Sequence, residues 1–345
     1  MNIVISFKRL IKKIYDLVNC IIRDIKCNFF YVSGIYNLIL KIKKKKGIKL
    51  IILAYHSVTK DKVRFEGLQV SIENFEKQIR FLKTNFDIIS IEKAMKYIED
   101  HSSKILNKLV ITFDDGYKDN FDIVYPILKK YEVPFTIFLT TDPIENHDLI
   151  WTNKLRDYIE QSNMPILKIG EKDSLNIATD IEKEQAINYL KKKLKTVENI
   201  ERIALLNNIY RQIGYKFFHD KCYEMLSVEQ IKILSRNGVS FHSHSVSHPI
   251  VSRLKKTEFE YELLESREKI YQWTGNRPVY FAYPNGKPTD FTEESKELLS
   301  NMGYKAAFTL IRGTNDNLTD RYEMKRIPVK NHDLAKFINY LFQYI

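Results

Sequence analysis

Leu109-Val-Ile-Thr-Phe-Asp-Asp-Gly116 (LVITFDDG) sets a run of apolar and β-branched residues directly against two adjacent carboxylates and a glycine. The run Leu109–Phe113 reads as a buried β-strand, and Asp114-Asp115-Gly116 as the turn that ends it. Two neighbouring carboxylates at the end of a buried strand repel one another and lose hydration, a cost that a cation or a set of donors relieves. Adjacent side chains point in different directions, so one carboxylate can ligate a metal while the other faces the bound water as a base. A plain turn or a helix cap accounts for the same three residues equally well.

Outward from this stretch the pattern repeats. Residues 50–58 (LIILAYHSV), 134–140 (PFTIFLT), 239–241 (VSF), 279–284 (VYFAYP) and 306–310 (AAFTL) are further β-rich runs, and helical periodicity separates them in Phe75–Leu82, Phe121–Tyr131 and Phe259–Trp273. Ser227 with Gln230 and Thr257 with Glu260 supply capping-box signals for two later helices. Strands alternating with helices predict an α/β fold with parallel strands. One segment breaks the rhythm: residues 153–226 are charged, lysine-rich and helical in pattern with no strong strand, and are expected to form a helical insertion on a continuous body spanning 49–345.

Reactive side chains gather at the ends of these runs: His56 in the first, Asp114 and Asp115 after the second, His242, His244 and His248 after VSF, and Tyr283 and Pro284 at the end of VYFAYP. In a β/α barrel the C-terminal ends of the strands share one face, where catalytic groups collect. Neutral imidazoles from His244 and His248, spaced H-x-x-x-H, together with one carboxylate make a three-ligand zinc site that leaves a position open for water. Zinc lowers the pKa of such a water to about 7. Taken without the carboxylates, the histidine segment reads as a polar loop.

Composition bounds the rest. The 345 residues carry a formal charge of +12, but residues 1–49 hold twelve Lys/Arg against Asp16 and Asp24, so the remaining chain is close to neutral at +2. With the basic excess confined to one end and no recognition motif beside it, nucleic acid is not an expected partner. Cys20, Cys27 and Cys222 show no paired spacing, which argues against a disulfide framework or a cysteine zinc site. Phe7, Leu10, Ile11, Ile14, Val18, Ile21, Ile22 and Ile25 form an amphipathic stripe flanked by Lys8, Arg9, Lys12, Lys13 and Arg23. Residues 1–48 thus read as a basic amphipathic helical arm, suited either to an anionic membrane surface or to covering the protein's own core. The lysine run 43–46 reads as a solvated hinge. No signal peptide and no membrane-spanning run is evident, so a cytoplasmic location is expected, and the membrane reading of the arm, one of its two alternatives, adds a peripheral contact at the inner membrane surface.

At these residues the chain resembles the polysaccharide deacetylases, carbohydrate esterase family 4, whose catalytic region is the NodB homology domain. TFDDG (112–116) is similar to that family's first motif, HSVSHP (244–249) to its second and FAYPNG (281–286) to its third. The resemblance implies a distorted (β/α) barrel with Asp114 as catalytic base. It further implies Asp115, His244 and His248 as ligands of one divalent metal ion, zinc by preference, and Tyr283 and Pro284 in the substrate groove. The implied reaction is hydrolysis of N-acetyl groups on an acetylated amino-sugar glycan, with metal-bound water attacking the acetyl carbonyl.

Two departures stand out: Ala282 occupies the place of the third motif's usual arginine, and the C-terminal Leu-x-His that often supplies the general acid is not evident. YHSV (55–58) is similar to a Tyr-His found in the branch acting on poly-N-acetylglucosamine, which makes His56 the candidate general acid, its alternative being a core histidine. Arg326, in the RIPV segment, is the candidate to orient Asp114 in place of the missing arginine. Trp151 is a candidate to stack on a sugar ring or simply to pack. The competing functional readings are a catalytically silent glycan-binding member of the same fold, favoured by Ala282, and an O-acetyl esterase.

Overall fold

The computed structural model describes residues 22–345 apart from 23, 66, 172 and 215–222. Eight strands form the central sheet: β1 Ile51–Tyr55, β2 Asp87–Ile88, β3 Lys108–Phe113, β4 Thr136–Leu139, β5 Ser240–Ser243, β6 Tyr280–Ala282, β7 Ala306–Phe308 and β8 Ile327–Pro328. Their spatial order is β7-β6-β5-β4-β3-β1-β8, with β2 alongside the start of β3, and every pairing is parallel. Met324, just before β8, also bridges to Phe308 of β7. The chain running into β8 therefore touches both edges of the sheet and closes it into the expected distorted (β/α) barrel. The six predicted strands are present; β2 and β8, two residues each, are too short to show a period.

Side chains along a strand alternate between faces, and here the alternation sorts the core into two layers. Ile51, Leu53 and Tyr55 of β1, in register with Leu109, Ile111 and Phe113 of β3, pack outward beneath the helices. Ile52, Val110, Phe138, Tyr280, Ala282, Phe308 and Met324 face the barrel interior. Both faces are covered, which is why these strands read as unbroken apolar runs.

Helix α1 (Ile35–Lys46) precedes the barrel, and α2 (Ile72–Asn85) follows β1, capped by Ser71, whose hydroxyl accepts from Asn74 N at 3.3 Å. The insertion holds α3 (Trp151–Gln161), α4 (Asp180–Leu194) and α5 (Asn199–Ile213) around a core of its own that includes Leu155, Leu167, Ile187 and Leu206. Contrary to the sequence reading it also holds an antiparallel pair, Ile166–Lys168 with Ser174–Asn176; three-residue strands carry too little alternation to be read. Helix α6 (Val228–Arg236) opens with the Ser227–Gln230 capping box. Helix α7 (Lys256–Thr274) begins ahead of the expected Thr257–Glu260 box, with Glu258 instead accepting from Lys255 N at 2.7 Å.

Helix α8 (Leu334–Phe342) receives the arm. Leu40 and Ile48 join the outer core, the Tyr36 and Phe342 rings meet edge-on at 5.3 Å, and the Tyr36 hydroxyl donates to Asn339 at 3.1 Å. Lys43–Lys46 is the last turn of α1 rather than a hinge: Lys43 Nζ donates to Ile345 O and Lys44 Nζ to Asn85 O, at 2.5 and 2.7 Å. This part of the arm covers the protein's own core, yet Ile22, Ile25, Phe29, Val32 and Leu38 stay exposed. Most of the predicted stripe, Phe7–Ile21, lies outside the described residues. Among the described residues no helix is long and apolar enough to cross a membrane.

Candidate metal and catalytic site

The strand parity that builds the barrel interior also builds the site. His56 continues the inward set Ile52 and Ala54, Asp114 continues Val110 and Thr112, His244 continues His242, and Arg326 continues Met324. At the C-terminal mouth these inward positions change from apolar to ionisable. His56, Asp114, Asp115, His244 and His248 all line one cavity of about 500 Å³.

Ligand atoms of Asp115, His244 and His248 lie within 4.8 Å of one another. Asp115 Oδ1 is 3.5 Å from His244 Nε2 and 3.4 Å from His248 Nε2, and has no hydrogen-bond partner despite being buried. A buried carboxylate oxygen aimed at two imidazole nitrogens without a proton donor is the signature of a cation position, and carboxylate plus two imidazoles is a donor set suited to zinc-like ions. His244 Nδ1 sits 2.7 Å from Ala282 O. That carbonyl can only accept, so Nδ1 carries the proton and Nε2 presents its lone pair to the cluster. Burial pushes the pKa of His244 down and that of His248 well down, with neighbouring His244 and Lys195 adding to the shift at His248.

The backbone is forced to deliver these groups. Asp115, Ser245, His248 and Asn285 have φ of 76°, 72°, 55° and 63°, left-handed conformations that non-glycine residues seldom adopt and that concentrate at functional sites. Glu262 of α7 holds the histidine loop: its carboxylate accepts from Val246 N at 2.7 Å, Ser247 N at 2.9 Å and Ser247 Oγ at 2.6 Å. Nothing in the histidine motif itself announces Glu262; its place on the inner face of a long helix is the only signal.

Asp114 stands behind the cluster in a bidentate pair with Arg326, Nη1 to Oδ1 at 2.6 Å and Nη2 to Oδ2 at 2.8 Å, both side chains essentially inaccessible to solvent. Arg326 is itself fixed by Thr309 O at 2.9 Å, Thr112 Oγ1 at 3.2 Å and the face of Phe138. Burial alone would raise the pKa of Asp114, but Arg326, with His244 and His56, brings it to about 2. The space left by Ala282 belongs to this interior layer, and the guanidinium reaches Asp114 from β8's side of the barrel instead. His56 is half-buried at the cavity wall, its carbonyl accepting from Asn120 Nδ2 at 3.0 Å.

Three expected substrate residues lie elsewhere. Tyr283 follows Phe281 by one strand period and so points outward, stacked on Phe291 at 4.5 Å with its hydroxyl donating to Tyr322 O. Pro284 is buried and does not line the cavity, whereas Asn285 does. Trp151 packs in the insertion core, and its indole N–H donates to His248 O at 2.8 Å, bracing the ligand loop rather than facing a sugar. His242 turns into the barrel toward Glu92 at 3.3 Å and stays out of the cluster. The opposite wall is made of groups that no motif marked: Arg64, Tyr117, Asn153, Arg156, Lys191 and Lys195.

Comparison with known proteins bears on the family and the fold. The sequence profile described as polysaccharide deacetylase matches residues 104–307. The Bacillus subtilis (strain 168) protein YxkH is 22% identical over 289 residues, covering 84% of this chain and 74% of that one. A poly-beta-1,6-N-acetyl-D-glucosamine N-deacetylase of Staphylococcus epidermidis is 26% identical over 235 residues, covering 58% and 73%. In three dimensions the Streptococcus pyogenes deacetylase PplD, solved in complex with acetate, superposes with a TM-score of 0.58 at 17% identity over 86% of this chain and 98% of that one.

Proposed function

This chain belongs to the polysaccharide deacetylase family, and from that premise we propose that it hydrolyses N-acetyl groups from amino-sugar residues of a glycan. The observation that carries the reading is the convergence of the Asp115–His244–His248 cluster and the Arg326-held Asp114 on one cavity. In this reading Asp115, His244 and His248 hold one divalent ion, zinc by donor type. When bound, such an ion supplies Lewis acidity that polarises an acetyl carbonyl and acidifies water.

The chain's own residues do the rest. Asp114 takes the proton of the attacking water. Its pairing with Arg326 keeps it ionised throughout the neutral range but a weak acceptor, which suits water already made acidic. His56, across the cavity, returns a proton to the departing amine nitrogen. Arg326 replaces, from another strand, the charge that Ala282 lacks, and this favours a working enzyme over a silent binder.

The test is acetate release from chitohexaose by zinc-supplemented protein. Asp114→Asn should lower turnover by roughly a hundredfold or more while zinc bound per chain, measured by elemental analysis, stays unchanged. Undiminished turnover removes Asp114 as the base. Absence of acetate from wild-type protein on any N-acetylated glycan removes the reading altogether.

The arm's exposed Ile22, Ile25, Phe29 and Val32, beside Lys26, suit a peripheral seat on anionic lipid at the inner membrane surface. Co-sedimentation with phosphatidylglycerol vesicles should drop in Phe29→Asp; equal sedimentation discards the lipid seat.

A further inference from the structure

The face that α4 turns toward the site is built for something other than an acetyl group. Lys191 and Lys195 line the catalytic cavity, and the same two lysines, with Lys192, Arg253 and Lys287, line an adjoining cavity of about 340 Å³. The two spaces share Lys191, Lys195 and Asn285 and so lie side by side.

Among the described residues none of these five cations has a carboxylate within ion-pair distance. The acid nearest in sequence to Lys287, Asp290, is already occupied by Asn285 Nδ2 and Lys287 N, at 2.5 and 2.7 Å. Lys195 has only the neutral Asn285 Oδ1 at 2.8 Å, and Arg253 Nε is buried with no hydrogen-bond partner. Elsewhere in the protein crowded cations are neutralised: Lys296 has Glu293, Asp320 and Glu323 around it at 2.9, 3.0 and 2.8 Å. Burial, with Arg156 and Lys195 nearby, pushes the pKa of Lys191 down to about 8 against the weaker pull of Glu184 and Glu160, and burial with Lys287 pushes Lys195 down against Asp290 and Asp115. Lys191, Lys195 and Arg253 are half-buried, Lys192 and Lys287 exposed, and none has a described carboxylate in direct contact; cations held together in this way carry a cost that an anion relieves.

We propose that the glycan recognised by this protein carries an anionic group, phosphate or carboxylate, seated on Lys191, Lys195 and Arg253 while its acetamido group lies at Asp115, His244 and His248. The inference rests on the deacetylase reading and narrows its substrate class. It excludes a glycan made only of neutral N-acetylated sugars as the preferred substrate.

Calorimetric binding of three probes to zinc-supplemented full-length protein tests it: neutral chitohexaose, a hyaluronan hexasaccharide carrying carboxylates, and chitotriose 1-phosphate. At low salt at least one anionic probe should bind about tenfold or more tightly than chitohexaose. That preference should shrink as salt screens it and fall to near one in Lys191→Met/Arg253→Met. Whichever anionic probe holds the advantage identifies the group as carboxylate or phosphate. Arg253→Met alone carries the test if the double variant has no cooperative unfolding transition. Equal affinity for the three probes, or a preference that survives the substitution, overturns the proposal. Acetate is assayed in parallel: release from chitohexaose without any anionic preference sinks this inference alone, whereas no acetate from any probe sinks the deacetylase reading beneath it.

Discussion

Two arginine–carboxylate pairs flank the cavity, Arg326 with Asp114 on the barrel side and Arg156 with Glu184 on the side of the insertion. Both are bidentate, the first at 2.6 and 2.8 Å and the second at 2.6 and 3.0 Å. Both arginines are buried, and the pairs differ in the carboxylate. The side chains of Arg326 and Asp114 are 0% and 1% exposed, whereas those of Arg156 and Glu184 are 9% and 50% exposed. A dry pair fixes one geometry and one charge state; a wet pair can be rearranged by whatever enters the cavity. The barrel wall is therefore suited to chemistry and the insertion wall to recognition.

Breaking the dry pair should have the largest effect. Arg326→Met leaves Asp114 buried and unpaired, and the expected loss is about 3–5 kcal/mol of folding stability, read from urea unfolding of the metal-free protein. A loss below that of an ordinary surface change would erase the distinction between the walls. The next test concerns the imidazoles. Burial disfavours their protonated form, so His244 and His248 should stay neutral as pH falls through 6.5, and zinc should remain bound at pH 6 in equilibrium dialysis. Release of zinc with a midpoint at the ordinary histidine value would place these side chains in water instead. Arg156→Met should produce the smallest effect, about 1 kcal/mol or less by the same urea measurement, because the side chains of Glu184 and Glu160, 50% and 29% exposed, regain water when the guanidinium goes. A cost comparable to that of Arg326→Met would make both walls structural.

The barrel wall was readable in the sequence to the extent that it obeys a period. LVITF announces a buried strand, the carboxylates follow it, and H-x-x-x-H follows another; inward parity then carries His56 to the same mouth, while Arg326 is marked by the RIPV segment and not by any period. Tyr283 is the counter-example: its place inside the FAYPNG motif implies the groove, but Phe281 two residues earlier faces outward, and Tyr283 follows the same parity. Of the two readings of Trp151, sugar stacking and packing, the structure has the packing, with its N–H used on the backbone of His248. The turn at Asp115 was announced by Asp-Asp-Gly, but the left-handed residues Ser245 and His248 left no sign, and the loop that holds them is tied to Glu262, far away in sequence. The insertion wall was the least readable. Lysines on a helix ordinarily mean a solvated face, and only the fold reveals that Lys191 and Lys195 look into a cavity.

The closure of the barrel by the segment before β8 sets an order of assembly. Asp114 and Arg326 are 212 residues apart, so a chain emerging from the ribosome has made the carboxylate, both ligand histidines and the whole insertion before it makes the arginine that neutralises the first of them. Until then the interior holds an uncompensated charge where the final structure is driest. The stretch around residue 326, made after all of these, thus acts as a latch, and a protein interrupted before it would hold nearly every piece of the site without the one that lets it shut.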